Sequence, residues 1–170
     1  MEEKKYAVLI DGDNISSKYL DSILNEMTKY GIATYKRIYC DFTSQQSSKW
    51  RRLVRDSGIQ AMQQFANTVG KNATDSTLII DAMDILYTGN VDGFCIVSSD
   101  GDFTRLAIRL KESGMDVIGM GESKTPRSFR AACTVFTDLE ILYEAESEDD
   151  EISTKGKKPA VKHNVVKVSE

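Results

Sequence analysis

Apolar and polar positions alternate between two periods along the first 144 residues. Tyr6–Ile10 (YAVLI) is an unbroken apolar run, the pattern of a strand buried on both faces. Residues 17–30 then set Tyr19, Leu20, Ile23, Leu24 and Met27 at helical spacing, with Gly31 as a stop signal. Residues 32–40 read as strand, 45–57 as a helix closed by Gly58, and 59–65 as a further strand. A long helix is predicted over 75–88, carrying Leu78, Ile79, Ala82, Met83, Leu86 and Tyr87. Strand 94–97, helix 102–113, strand 115–119 and a short strand 134–136 complete the series. Such alternation predicts an α/β three-layer sandwich with a mostly parallel central sheet and helices on both faces.

The pattern changes near Ala145. Residues 145–151 read AESEDDE, and a basic stretch with Pro and Gly follows to residue 170. The expected organisation is one domain over 1–144 and a charged linker or tail over 145–170. No apolar run reaches the ~18 residues of a membrane span, and the acidic start MEEKKYAVLI is not a signal peptide. Cys40, Cys95 and Cys133 are odd in number and sit among apolar neighbours, which predicts reduced thiols in a cytoplasmic protein.

Composition narrows the chemistry. The single histidine, His163, lies in the polar tail, so a Ser-His-Asp triad or a His-ligated zinc is hard to build. A formal net charge of −4 makes the whole molecule a poor attractor of nucleic acid. A nucleic-acid binder with this balance needs a local basic patch, or metal ions that invert the sign of an acidic site.

In a parallel sheet the site lies beyond the carboxyl ends of the strands. There the chain places Asp11, Asp13 and Asn14 after the first strand and Asp41 after the second. Asp75 precedes the long helix, and Ser98, Ser99, Asp100, Gly101 and Asp102 follow the strand FCIV. Each piece also reads as a turn or helix cap. Their conjunction exceeds what capping needs, and hard oxygen ligands without His or Cys point to Mg2+ or Mn2+. Asp81 and Asp84 lie one turn apart on the long helix; one of them is a candidate to face the site, and a solvated face fits Asp84. Two basic groups are candidates for phosphate contacts. Lys124, Arg127 and Arg130 follow a strand end, whereas Lys49, Arg51, Arg52 and Arg55 read first as a solvated helix face. Gly70-Lys71-Asn72 is not a phosphate-binding P-loop, and Gly119-Met120-Gly121 is a weak dinucleotide signal.

With IDGDN at 10–14, KNATDSTLIIDAMD at 71–84, IVSSDGDFTRLAIRLKESGMDVIG at 96–119 and GESKTPRSFRAAC at 121–133, the chain resembles the NYN domain family. This is a branch of the PIN-like nucleases, and the resemblance is closest to the bacterial LabA-like group. It implies a PIN-like fold and a ribonuclease dependent on Mg2+ or Mn2+. Asp11, Asp75, Asp100 and Asp102 would be its catalytic and metal carboxylates. Asp13, Asn14, Ser98, Ser99, Asp81, Lys124 and Arg127 would support the substrate or orient ligands. Gly101 stands where the family often has Ser. Single-stranded RNA is the implied partner, a homodimer stays open, and no membrane is involved. In some relatives a linker such as 145–170 leads to a small winged-helix RNA-binding module. Two rivals remain: a non-catalytic RNA-binding domain, and a phosphatase, because IDGDN also resembles the D-x-D opening of haloacid-dehalogenase enzymes. That second family expects Thr or Val after its second aspartate, where this chain has Asn14-Ile15.

Overall fold

A computed structural model describes residues 2–65 and 73–156, with the side chains of 73–76 outside that description. Six strands, β1 (Lys5–Asp11), β2 (Ile32–Cys40), β3 (Gln60–Gln63), β4 (Gly93–Val97), β5 (Asp116–Gly121) and β6 (Val135–Asp138), form one sheet in the order β3-β2-β1-β4-β5-β6. Every neighbouring pair is parallel, so the expected mostly parallel sheet is parallel throughout the described strands.

The sheet carries a helical layer on each face, and β1 shows why. Its residues alternate between two cores: Tyr6, Val8 and Ile10 point into one, and Ala7 and Leu9 into the other. The first core is closed by α1 (Leu20–Met27) and α2 (Ser48–Ser57), through Ile23, Met27 and Trp50, and by Leu139 of α6 (Leu139–Gly156). The second is closed by α3 (Ala73–Thr88), α4 (Thr104–Glu112) and α5 (Arg127–Ala132), through Leu78, Ala82, Leu110 and Phe129. A strand central to both cores must be apolar at every position, which is what YAVLI supplies.

Two helices depart from the sequence reading. α5 is only six residues long and begins after Pro126, between the predicted strands 115–119 and 134–136, where the sequence reading places no element. The change of composition at Ala145 is not a change of secondary structure, because α6 runs through the acidic segment to Gly156. Asp138 Oδ1 accepts from the backbone N–H groups of Glu140 (3.0 Å) and Ile141 (3.3 Å), which caps the start of α6. Leu139 is fully buried, and Ser22 on α1 donates to Glu146 in the acidic run. Residues 145–156 are thus helical, tied to α1 at Glu146 and exposed over 147–156; residues 157–170 lie outside the described residues.

Candidate active site

The strand order reverses direction between β1 and β4: β2 and β3 extend one way from β1, and β5 and β6 the other way from β4. In a doubly wound sheet such a switch point opens a crevice beyond the strand ends, because the flanking connections leave toward opposite faces. The residues at that crevice are Asp11, the last of β1, and Ser98–Asp102, which follow β4.

Asp11 is 2% exposed. Its Oδ2 accepts from Asn14 Nδ2 at 2.9 Å and from Ser98 Oγ at 2.8 Å, and both described donors are neutral. Burial, helped by the charges of Asp13 and Asp100, pushes the Asp11 carboxyl up to about 6 against the pull of those two bonds. Ser98 Oγ in turn accepts from the backbone N–H of Asp100 at 3.0 Å, so one hydroxyl ties the β1 and β4 loops together. Asp100, half-buried, accepts from the N–H of Asp102 at 2.9 Å and caps the short turn 101–103; Asp102 is exposed.

The other expected residues fall into three groups. Asp13 is exposed and accepts from the N–H of Asp41 (3.1 Å) and from Gln64 Nε2 (3.3 Å), so it braces the loops after β2 and β3. Ser99 Oγ accepts from the N–H of Glu122 at 2.9 Å and ties the β4 loop to the loop after β5. That loop presents Lys124, and Arg127 opens α5; both are exposed. Asp81 Oδ2 accepts from Arg37 Nη1 at 2.9 Å and from the Tyr39 hydroxyl at 2.6 Å, so this carboxylate already has a cationic partner. Asp75 lies in the first turn of α3, and its side chain is outside the described residues. Among the described residues no three acidic, histidine or cysteine side chains form a ready-made metal cage.

Some residues that shape the site were not singled out from the sequence. Gln63 ends β3 and Gln64 follows it, and they bond Asp41 and Asp13; the strand-end rule that found Asp11 applies to them as well. Gly12 is needed where it stands, because a Cβ there would meet Ile38 Cγ2 at 2.8 Å and Cys40 Cβ at 2.9 Å. Gly121 has the same role across the crevice, where a Cβ would meet the Ser98 carbonyl oxygen at 2.5 Å.

Comparison with known proteins agrees with this architecture. A family model described as NYN domain matches residues 5–140. The chain is similar to "Uncharacterized protein MJ0482" of Methanocaldococcus jannaschii, with 27% identity over 125 residues that span 70% of this chain and 48% of that protein. It therefore spans about half the length of that relative. In three dimensions it is similar to the crystal structure of a protein of unknown function, VPA0982, from Vibrio parahaemolyticus. The TM-score is 0.66 at 19% identity, covering 81% of this chain and 93% of that one, and at such identity the likeness is one of fold.

Proposed function

We propose that this chain, which belongs to the NYN domain family and so to the PIN-like nucleases, hydrolyses phosphodiester bonds of single-stranded RNA with a divalent ion at Asp11 and Asp100. The observation that carries this reading is Asp11: a carboxylate buried at the switch point, with neutral donors on one oxygen and acidic neighbours. A buried carboxylate without a cationic partner is costly to keep ionised. A hard divalent cation reverses that cost, and oxygen donors alone suit Mg2+ or Mn2+ over zinc. The residues present therefore fit such an ion, with Asp11 and Asp100 as the described ligands and Asp75 or Asp102 as the expected additions.

When bound, the ion supplies Lewis-acid stabilisation of the charge that develops on the phosphate. The chain's own residues do the positioning. Asn14 and Ser98 both donate to Oδ2 of Asp11 and so fix the plane of its carboxylate. Ser98 also accepts from the Asp100 N–H, which holds the second carboxylate's backbone in step with the first. Asp100 accepts from the Asp102 N–H, which sets its side-chain rotamer before substrate arrives. The three free cysteines are buried, which suits a reducing cytoplasm.

The test is cleavage of end-labelled single-stranded RNA by the purified protein. Products are expected with millimolar Mn2+ or Mg2+ and none with a chelator. RNA binding with no metal-dependent product would favour the non-catalytic reading instead, and acid-labile phosphorylation of Asp11 would favour the phosphatase.

A further inference from the structure

We infer that a groove running from Lys124 across Lys49 to Arg52 is the path of the single-stranded polynucleotide, which it grips through phosphates and sugars and not through bases. The inference rests on the nuclease reading for its choice of ligand, and on geometry for the path.

Two clefts are continuous here. The first, about 550 Å³, is lined by Asp13 and Asn14, by serines of the loops before α1 and α2, and by Lys49 and Lys124. The second, about 400 Å³, shares Ser16, Ser17 and Lys49 with it and adds Arg52 and Lys18 beside one acidic residue, Asp21, and the apolar Leu20 and Leu53. The groove begins at the carboxylates, since Asn14 both lines it and donates to Asp11. It then leads away over the N-terminal part of α2.

The cations near it divide into two kinds. Arg51 is committed: its Nη1 donates to the carbonyls of Phe42 (2.6 Å) and Ser44 (2.9 Å) and to Ser47 Oγ (3.1 Å), which shapes one wall. Arg130 is committed too, through Thr125 O (3.0 Å), Glu122 O (3.4 Å) and Ser123 O (2.7 Å), and so holds the loop that presents Lys124. Lys18, at the far cleft, rests its ammonium over the rings of Tyr19 and Tyr143 at 5.0 and 5.3 Å. Lys49, Arg52 and Lys124 are exposed and face the groove. On a chain of net charge −4, this is the local basic track that phosphate contact needs. Within the α2 group, which reads from the sequence first as a solvated helix face, Arg51 is a wall-forming residue and Lys49 and Arg52 are the cations that line the groove.

Among the described residues the groove offers no stacking platform. Its aromatic lining residue, Trp50, is 3% exposed, and its indole N–H is bonded to Gly12 O at 2.9 Å and Ile15 O at 3.2 Å. Hydroxyls and cations without an accessible ring contact the backbone of a strand and tolerate any base.

The experiment is fluorescence anisotropy of labelled single-stranded RNA oligonucleotides across a salt series, with chelator present so that cleavage is silent. Lys49→Gln and Lys124→Gln are each expected to reduce the slope of log affinity against log salt by about 0.7. The double variant should bind about tenfold more weakly at low salt. Lys49→Arg should retain binding, and Arg55→Gln, on the same helix but off the groove, should match the parent. Homopolymers of U, A and C should bind within about threefold of one another. Lysine variants that match the parent in slope, or a parent that binds no RNA, would overturn the groove. If the lysines govern binding but no cleavage appears with Mn2+, the nuclease reading falls and the groove stands. If cleavage appears while the lysines are silent in binding, the reverse holds.

Discussion

The two rims of the sheet handle aspartate in opposite ways. At the amino rim, Asp116 opens β5 and accepts from Lys4 Nζ at 2.9 Å and from the Tyr6 hydroxyl at 3.0 Å. The Lys4 bond, opposed by partial burial, holds its carboxyl below the usual range. At the carboxyl rim, Asp11 ends β1 with two neutral donors, and burial raises it to about 6. One carboxylate is already supplied with its cation by the chain; the other is positioned by amide and hydroxyl and set among like charges. The first arrangement makes a strand end secure. The second is an unfavourable one that a purely structural residue has no reason to keep, because Asn at position 11 would satisfy the same hydrogen bonds without the burial of a charge.

Four substitutions probe this contrast, and the largest expected effect is on catalysis. Asp100→Asn keeps the side-chain shape and an oxygen that can accept from the Asp102 N–H. Asn and Asp are nearly equivalent as caps, so the fold should hold. Removing the charge should nevertheless slow metal-dependent RNA cleavage by about 10²–10³-fold, the usual cost of one preorganised electrostatic group. A folded Asp100→Asn protein that cleaves at the parent rate would reduce Asp100 to a turn residue.

Next comes stability at Asp11. Between about pH 4 and pH 6 the folded protein keeps a proton on Asp11 that the unfolded chain has released, since its carboxyl rises from 3.8 to about 6. Stability must therefore fall as pH rises through that window, and the penalty is fully present above it. At about 1.4 kcal/mol per pH unit, the penalty near pH 7 is about 3 kcal/mol. Asp11→Asn should lose this pH dependence and melt higher than the parent at pH 7 without metal, while losing cleavage. Millimolar Mn2+ should raise the parent's Tm by binding only the folded state, and the variant should gain little. Parallel pH–stability curves for the two proteins would contradict the burial argument.

Asp81 sharpens the comparison from a third position. It was a candidate to face the site, yet it is partnered by Arg37 and Tyr39, with side-chain exposures of 22% for Arg37 and 18% for Asp81. Asp81→Ala should lower stability by about 1–3 kcal/mol, because it leaves Arg37 and the Tyr39 hydroxyl without their acceptor. The Mn2+-dependent gain in Tm should survive. Loss of the metal response with unchanged metal-free stability would return Asp81 to the site.

Much of this was legible in the sequence, and for identifiable reasons. The strand Lys5–Asp11 showed because burial on both faces demands an unbroken apolar run. Asp11 and Asp100 showed because strand ends are visible where such runs stop. α6 was missed because its acidic half outweighed a short apolar start, although Asp138 followed by Leu139 and Glu140 is a capping signal. The separate duties of Arg51, Lys49 and Arg130 could not be read, since each depends on which carbonyls the fold brings within reach. The exchange at Asp81 was hidden for the same reason: its partners lie 44 and 42 residues away on β2.

The smallest expected effect belongs to Asp116. Its side chain is 36% exposed and that of Lys4 59%, so solvent screens the pair and limits its worth. The sign is nonetheless fixed. With its folded pKa lowered, Asp116 stabilises the protein above the ordinary carboxylate value of 3.8, and that contribution fades as pH falls through the lower folded value. Asp116→Asn should therefore lower Tm slightly at pH 7 and close the gap to the parent as pH falls through the lowered folded value. Asp11→Asn moves Tm the other way over a higher pH window, so the two substitutions should give curves of opposite sign. Cleavage and the Mn2+ response should be unchanged in Asp116→Asn, because the residue sits at the start of β5 and the site lies beyond the strand ends. A rise in Tm on removing Asp116 would mean that this rim, too, keeps an aspartate at a cost, and the contrast between the rims would no longer distinguish the site.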